Sequence, residues 1–537
     1  MAARPTGVPP PGGGPNLPFE SLTPEEHRIL AYASAIGSEF DFALLLGAMG
    51  VSEEALAEEL ERLVHLRVLT ERAGGERFAF TEEEFRARIY RSLTESRLRV
   101  LHRKIGEVLE RMYPEPTLPV LAELGRHYFL GKVPAKSYEF NRRAAEAAKT
   151  AGEFQLAAHH LERVLLDLSS LPGDRHVEQA EVEEELGGLE YHLGDYDHAE
   201  TRFREALDRI GAAAPGIRAR LLIARAEVLR ERLDFDTAIA LAAEARRLFE
   251  SVGNRQGAAG VHHLIARIDF RRGAYRDSVE QCMQALDLAR GATEDPLLIG
   301  SIAIELGNAF SELGPEVRDV AIAWYERAVD LLRPTGDLAE LARAYLNLGV
   351  DVGEARPQDG IEILEKAQQA YERARDARGV ARALVATAEL RLSIGQIDEA
   401  ERDNEHVGHI LEHLADELGR AWVEANRGLI AERRGLWEEA ERAFERDVEL
   451  CRKFQLPGDE AEGAFYLARL RYKTRDLDGA RQAFAIATDL DIVNLRPHLA
   501  EPYLELGQQL GIVPAASPPA SSVGPADTAS MSDKPPL

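Results

Sequence analysis

Apolar positions recur three and four residues apart through most of this chain, in runs broken by short polar or glycine-containing turns. Residues 180–211 show the unit. Leu186, Leu189 and Leu193 mark one face of a first helix, Gly194 and Asp195 break it, and Tyr196 wedges between the helices; Ala199, Phe203 and Ala206 then form the stripe of a second helix. Small residues let the two helices approach, and the aromatic fills the gap to the next unit. A single pair cannot bury that stripe, so neighbours must stack on it. The phrase that opens the second helix is a Gly or polar turn, a bulky residue, then a small one. It ends at Ala157, Ala199, Ala238, Ser278, Ala321, Gly360, Ala400, Ala440 and Ala480, with successive spacings of 42, 39, 40, 43, 39, 40, 40 and 40. A fixed period of this size signals a solenoid, whose stacked surface usually binds macromolecules. The expected fold is all-α: a right-handed α-solenoid of about nine helix pairs.

Residues 21–112 lack the phrase. A first helix is expected after Thr23, which can cap it, with Pro24 in its first turn and Ile29, Leu30, Ala33 and Ile36 on one face. Residues 40–50 read as a second helix, and residues 52–66 as a third with Ser52 as N-cap and Leu56, Leu60, Leu63 and Val64 inward. Val68–Thr70 and Phe78–Phe80 flank Ala73-Gly74-Gly75 and predict a short β-hairpin. Three helices and a hairpin make a small winged-helix unit.

The run L-G-x-x-Y, G-D-Y-x-x-A, F-x-x-A resembles the tetratricopeptide repeat. Leu186, Gly187, Tyr196, Ala199, Phe203 and Ala206 fill it, as do Leu306, Gly307, Ala321, Tyr325 and Ala328, with two extra residues around Gly314-Pro315. Ser278 in place of the small Ala and Asn404 in place of an aromatic depart from it. The period near 40 is similar to the long-helix variety found in signalling ATPases and kinesin light chains. The run from Phe78 to Glu110, with Tyr90, Leu93, Arg97, Leu101, His102 and Leu109, resembles the segment joining a winged helix to the repeats in signal-transducing ATPases with numerous domains. The NTPase module of that family is not matched. The nearest phosphate-loop run, Gly125 to Lys132, has one residue too many between its glycines, Val133 in place of Ser or Thr, and a predicted helix rather than a preceding strand. The organisation expected is a disordered segment 1–20, a winged-helix-like domain 21–112, a connecting helix 113–136, a repeat superhelix 137–496, a capping helix 497–511 and a disordered tail 512–537.

Ala, Leu, Glu and Arg dominate and aromatics make up only 7%, which suits a helical array. No run of apolar residues is long enough for a membrane span, and no apolar leader segment is visible. Cys282 and Cys451 read as free thiols of a reducing, cytoplasmic compartment. The net charge of −27 argues against nucleic acid as the main ligand and favours a basic partner. The would-be reading helix of the winged unit presents Glu53, Glu54, Glu58, Glu59 and Glu61 against Arg62 alone. The next helix is basic (Arg86, Arg88, Arg91, Arg97, Arg99, Arg103 and Lys104), and these residues are expected to pair with Glu82–Glu84 and acidic repeats or to meet an acidic partner. His406, His409 and His413 share a helical face beside Asp403 and are expected to be solvated rather than metal-bound. No catalytic constellation, cofactor site or metal site is expected.

The repeat resemblance implies that first helices line a concave face. Counting along the pattern, that face receives Arg230, Arg267, Arg271, Asn308, Asn347, Arg382, Arg469 and Lys473, beside Glu227 and Glu389. Such side chains can grip an extended peptide by its backbone or an acidic terminus, or simply balance neighbouring carboxylates. The leading expectation is a non-catalytic scaffold or sensor holding partner proteins in the groove. Two alternatives stand beside it: a DNA-binding regulator using the winged helix, and the regulatory half of a split ATPase whose catalytic chain is separate.

Overall fold

The structure is a computed structural model that describes residues 22–290, 295–414, 416–417, 419–496 and 499–512; the expected disordered segment 1–20 and nearly all of the tail lie outside these residues. The described chain forms two compact units, up to Leu241 and from Ala242 onward.

The first unit opens with α1 (Pro24–Ile36), β1 (Glu39–Asp41), α2 (Phe42–Met49), α3 (Glu53–His65), β2 (Leu69–Arg72) and β3 (Arg77–Phe80). Thr23 and Glu26 cap each other's backbone at the start of α1, and Ser52 accepts from Ala55 N at 3.3 Å on α3, as their spacing implies. The hairpin forms, but the sheet has three strands in the order β1-β3-β2. Phe40 and Asp41, expected in the second helix, belong to β1. Phe40 pairs with Phe78 and stacks on its ring at 6.0 Å, so a tertiary strand pairing overrides the local helical pattern.

Then come α4 (Glu83–Ser92), α5 (Glu95–Met112) and α6 (Leu118–Leu130). The pairs α7 (Pro134–Thr150) with α8 (Phe154–Leu168) and α9 (His176–His192) with α10 (Tyr196–Ile210) follow, then α11 (Pro215–Glu231) and α12 (Phe235–Ser251), within which the unit boundary falls. One core runs from Leu22 through Leu45, Leu60 and Ile105 to Leu124, Tyr128 and Phe140, so the winged helix and the first repeat helices share buried surface. A chain of buried rings crosses the same junction. Arg126 can only donate, and its Nη2 reaches His127 Nε2 at 2.9 Å. Glu123 Oε2 lies 3.3 Å from the same nitrogen, His127 Nδ1 and His102 Nδ1 share a hydrogen bond at 2.9 Å, and His102 Nε2 shares one with Tyr90 Oη at 2.9 Å. Burial holds both imidazoles neutral, pushing His102 down to about 3 and His127 down as well.

The second unit contains α13 (Arg255–Arg271) with α14 (Tyr275–Ala289), α15 (Pro296–Glu312) with α16 (Arg318–Leu332), α17 (Leu338–Ala355) with α18 (Pro357–Ala374), α19 (Ala377–Ser393) with α20 (Ile397–His413), α21 (Arg420–Arg433) with α22 (Trp437–Lys453), and α23 (Pro457–Lys473) with α24 (Leu477–Asp489). Each is an antiparallel pair, and with α7–α8 and α9–α10 of the first unit they make eight such pairs among the described residues. The small residues of the phrase are fully buried at Ala157, Ala199, Ala238, Ala321, Ala400, Ala440 and Ala480. Leu193 is the exception to the predicted stripe: it lies one residue past α9 and is 45% exposed.

Glycine makes the close approach possible. A Cβ on Gly187 would sit 2.6 Å from the Phe203 ring of the paired helix, and one on Gly307 or Gly428 would overlap Tyr325 or Phe444. Gly257 against Phe249 and Gly379 against Tyr371 repeat the contact between a second helix and the next first helix. The departures from the pattern are satisfied in another way. Ser278 donates to Ala266 O at 2.8 Å, and Asn404 donates to Val423 O at 3.0 Å, each exchanging apolar fit for a hydrogen bond to an adjoining first helix. After α25 (Ile492–Leu495), α26 (Ala500–Gln509) covers the last pair, with Tyr503 stacked on Phe484 at 4.4 Å and 2°. Pro497 and His498, expected at its start, lie outside the described residues.

Neighbouring glycines give a sharp stability test. Gly187→Ala forces a methyl into Phe203 and should cost about 1–3 kcal/mol, which exceeds the gain of about 1 kcal/mol in helix propensity. Gly188→Ala meets nothing within 4 Å and should be neutral or stabilising. The urea midpoint should fall in Gly187→Ala and not in Gly188→Ala; equal shifts contradict the packing account.

The His102–His127 chain adds a pH test. Below the ordinary imidazole value of 6.5 the unfolded chain binds protons that the buried pair refuses, so the pair's contribution is present above 6.5 and is lost as pH falls toward about 3. The stability advantage of wild type over His102→Gln should therefore shrink between pH 7 and pH 5 in thermal melts. An advantage independent of pH would show that the pair is not held neutral.

Candidate functional site

Within the second unit, successive first helices α13, α15, α17, α19 and α21 touch one another, which makes their side the tighter, inner face. One register position recurs along it as Asn308, Asn347, Ala386, Asn426 and Tyr466. The next row, three residues on, carries Ser311, Val350, Glu389, Leu429 and Arg469.

The early part of this face carries a polar network, in which Arg343 Nε, His263 Nε2 and Asp351 Oδ2 have no partner among the described residues. Tyr325 Oη and Asn347 Nδ2 both donate to Asn308 Oδ1, at 2.8 and 2.7 Å, and Asn308 Nδ2 donates to Glu305 at 3.1 Å. Arg343 bridges Glu305 and Glu340 at 2.7 and 2.8 Å. Burial would raise the Glu305 carboxyl, but Arg343, with His263 and Arg267, holds it at about 2. Burial also keeps His263 neutral, pushed down to about 4. Asn308 and Asn347, both predicted for the inner face, are thus brought together, and their polar groups are largely spent on each other.

Further along, α19, α21, α22 and α23 enclose a cavity of about 370 Å³. Its wall holds Asn426, only 1% exposed, whose Nδ2 has no hydrogen-bond partner among the described residues. A buried amide donor left unpaired costs about 1–3 kcal/mol, and each such group in a structure asks for an explanation. Trp422 lines the cavity half-buried, one turn before Asn426. Asp447, 3% exposed, receives only the Cys451 thiol at 3.3 Å; burial pushes this carboxyl up to about 7. Burial and Asp447 together push the Cys451 thiol well above its ordinary range, so it stays protonated and is no nucleophile. Glu389 is reached by water yet crowded on the inner face. Burial and then the Glu462 and Asp459 carboxylates raise it to about 7, against the opposing charge of Arg496. Arg496 is itself held by Glu462 Oε2 at 2.9 Å and by Asp459, and Tyr466 Oη donates to Glu462 at 2.7 Å.

The remaining predicted cations fall into different settings. Arg469 lies 4.9 Å over the Tyr466 ring and donates to Glu432 at 2.6 Å; Lys473 reaches the other oxygen of Glu432 at 2.6 Å. Arg382 is exposed and makes no ion pair among the described residues. Arg267 is half-buried and Arg271 exposed on α13. In the first unit Arg230 is 5% exposed, held by Glu227 at 2.9 Å and by Glu231, and it offers a partner almost no surface. The counting scheme missed Asn426, Trp422 and Arg343. Asn426 was legible as the Asn347 position two periods on; nothing in the sequence marks Trp422 as part of a cavity wall.

Elsewhere the chemistry is quiet. The open face of α3 carries exposed Glu53, Glu54, Glu58 and Glu61, and Arg62 is paired with Glu26 and Glu59. On α4 and α5, Arg86 pairs with Glu83, Arg91 with Glu84 at 3.5 Å and Arg99 with Glu95 at 3.0 Å, while Arg103 donates to Gly131 O. His406, His409 and His413 are exposed, and no cluster of metal-ligating side chains occurs among the described residues. Cys282 and Cys451 are both free and buried. No described helix is long and apolar enough to cross a membrane.

These helix pairs stack as an α-solenoid within each unit. No family model and no curated protein matches the chain. Among solved structures it is similar to a signal-transduction ATPase with numerous domains carrying a tetratricopeptide repeat sensor from Pyrococcus horikoshii (13% identity, TM-score 0.45, covering 82% of this chain and 65% of that one). The chain thus spans less than two thirds of that protein's length. It is also similar to aspartyl phosphate phosphatase F from Bacillus subtilis (12% identity, TM-score 0.47, 66% of this chain and 94% of that one). A Rap protein complexed with competence and sporulation factor matches at 13% identity and TM-score 0.48, over 68% of this chain and 99% of that one. At these values the likenesses bear on no residue of the site.

The crowding of carboxylates around Glu389 is open to measurement. Glu462→Gln removes the like charge that, after burial, raises Glu389 most, while Asp459 still holds Arg496. The Glu389 titration, followed through the fluorescence of nearby Trp422, should move down from about 7. A midpoint unchanged by the substitution would show that burial alone sets it.

Proposed function

We propose that this protein is a non-catalytic interaction scaffold or sensor that takes an extended peptide segment of a partner protein along the inner face of its second unit. The observation that carries this reading is Asn426: a buried side-chain donor without a partner, in the wall of a cavity lined mostly by the first helices α19, α21 and α23. An extended backbone offers a carbonyl at every residue and so fits such a donor without covalent chemistry. The Asn308–Asn347 network continues the same register as a rigid polar floor. The cavity supplies no activated nucleophile, since its one thiol is held protonated. The acidic open face of α3 supports protein rather than DNA as the partner.

Selection of random decapeptides displayed on phage against the full-length protein tests the proposal. Enriched peptides should bind wild type in solution and lose affinity by about three- to tenfold in Asn426→Ala, the worth of one hydrogen bond. Circular dichroism would confirm that the variant keeps its fold. Enrichment of no peptide, or binding indifferent to Asn426, would overturn the assignment.

A further inference from the structure

The geometry points to a basic side chain, arginine or lysine, as the anchor residue of the bound segment, seated in the α19–α23 cavity. This inference rests on the peptide reading above and deepens it. Two carboxyl groups of the cavity lack a cation of their own. Asp447 has only a thiol for company, and Glu389 makes no ion pair among the described residues. The charges that face Glu389 are Asp459 and Glu462 from α23 and Arg496 from the segment after α25, and Arg496 is already shared between those two acids. Of the other cations lining the cavity, Arg469 is committed to Glu432, and exposed Arg433 ends α21 without reaching an ion pair among the described residues. An incoming guanidinium or ammonium would therefore meet negative charge that the protein has left uncompensated.

Two further features are independent of charge. The unpaired Nδ2 of Asn426 requires an acceptor, and the carbonyl next to a basic side chain supplies one. Trp422 lines the same space with no ring or cation stacked on it among the described residues, so its face is open to the stem or head of that side chain. A single residue that carries a cation and a backbone carbonyl answers all three at once. An anionic terminus does not, because it would meet Glu389, Asp447 and Glu462.

The experiment uses the full chain and the decapeptides enriched by display. Basic residues should recur at one position. In calorimetry, replacing that residue by glutamine or norleucine should weaken binding at least tenfold, and Glu389→Gln should do the same to the parent peptide. Glu389 is exposed, so its substitution leaves the fold in place. Affinity of wild type should rise between pH 6 and pH 8 as Glu389 and Asp447 ionise, and this rise should be clearly smaller in Glu389→Gln, where Asp447 alone titrates. Glu84→Gln, an exposed change in the first unit, controls for the general acidity of the chain and should have no effect. Peptides that bind and respond to Asn426→Ala, but carry no recurrent basic residue or ignore Glu389→Gln, would overturn the anchor assignment and leave the groove reading standing. Failure to enrich any peptide would overturn both.

Discussion

The contact on which the architecture depends is a bare glycine backbone pressed against an aromatic ring. Gly187 with Phe203, Gly307 with Tyr325 and Gly428 with Phe444 seat the two helices of a pair; Gly257 with Phe249 and Gly379 with Tyr371 seat one pair on the next. The ring fills the space a side chain would take, and a buried phenylalanine is worth roughly 1.5–3 kcal/mol. Because each pair covers only its neighbours, stability is nearly a sum of such local contacts. Ser278 and Asn404 show what the scheme tolerates: a polar side chain survives where it reaches an adjoining carbonyl.

Close packing on the ring side leaves the polar work to the inner face, and the face divides in two. Around Asn308, Asn347 and Arg343 hydrogen bonds and ion pairs join successive first helices, although Arg343 Nε, His263 Nε2 and Asp351 Oδ2 have no partner among the described residues. Around Asn426, the carboxyl groups of Asp447 and Glu389 are driven up to about 7.

In the first unit the winged helix shares its core with the first repeat helices, and the Tyr90–His102–His127–Arg126 chain runs through that junction. Of the basic residues of α4 and α5, Arg86, Arg91 and Arg99 pair with acids and Arg103 with a carbonyl close by, while Arg88, Arg97 and Lys104 are exposed. The exposed face of α3 carries Glu53, Glu54, Glu58 and Glu61.

The sequence by itself determined the repeat. A period near 40, small residues at the close approaches and alternating helix faces leave one solution, because the stripe of each pair can be buried only by another. It also placed Asn308, Asn347, Glu389, Arg469 and Lys473 on first helices, since helical register is local. Only the tertiary structure decided which of these side chains remain available. Arg230 and Asn308 look alike on a helical count, yet one is buried in an ion-pair network and the other is tied to Asn347 thirty-nine residues away. The cavity at Asn426 draws its wall from four helices, and β1 exists only because β3 pairs with it. Periodicity reports which way a side chain leaves its own backbone; what it meets there is set by the packing of distant segments, and charge and hydrogen bonding act at that meeting point.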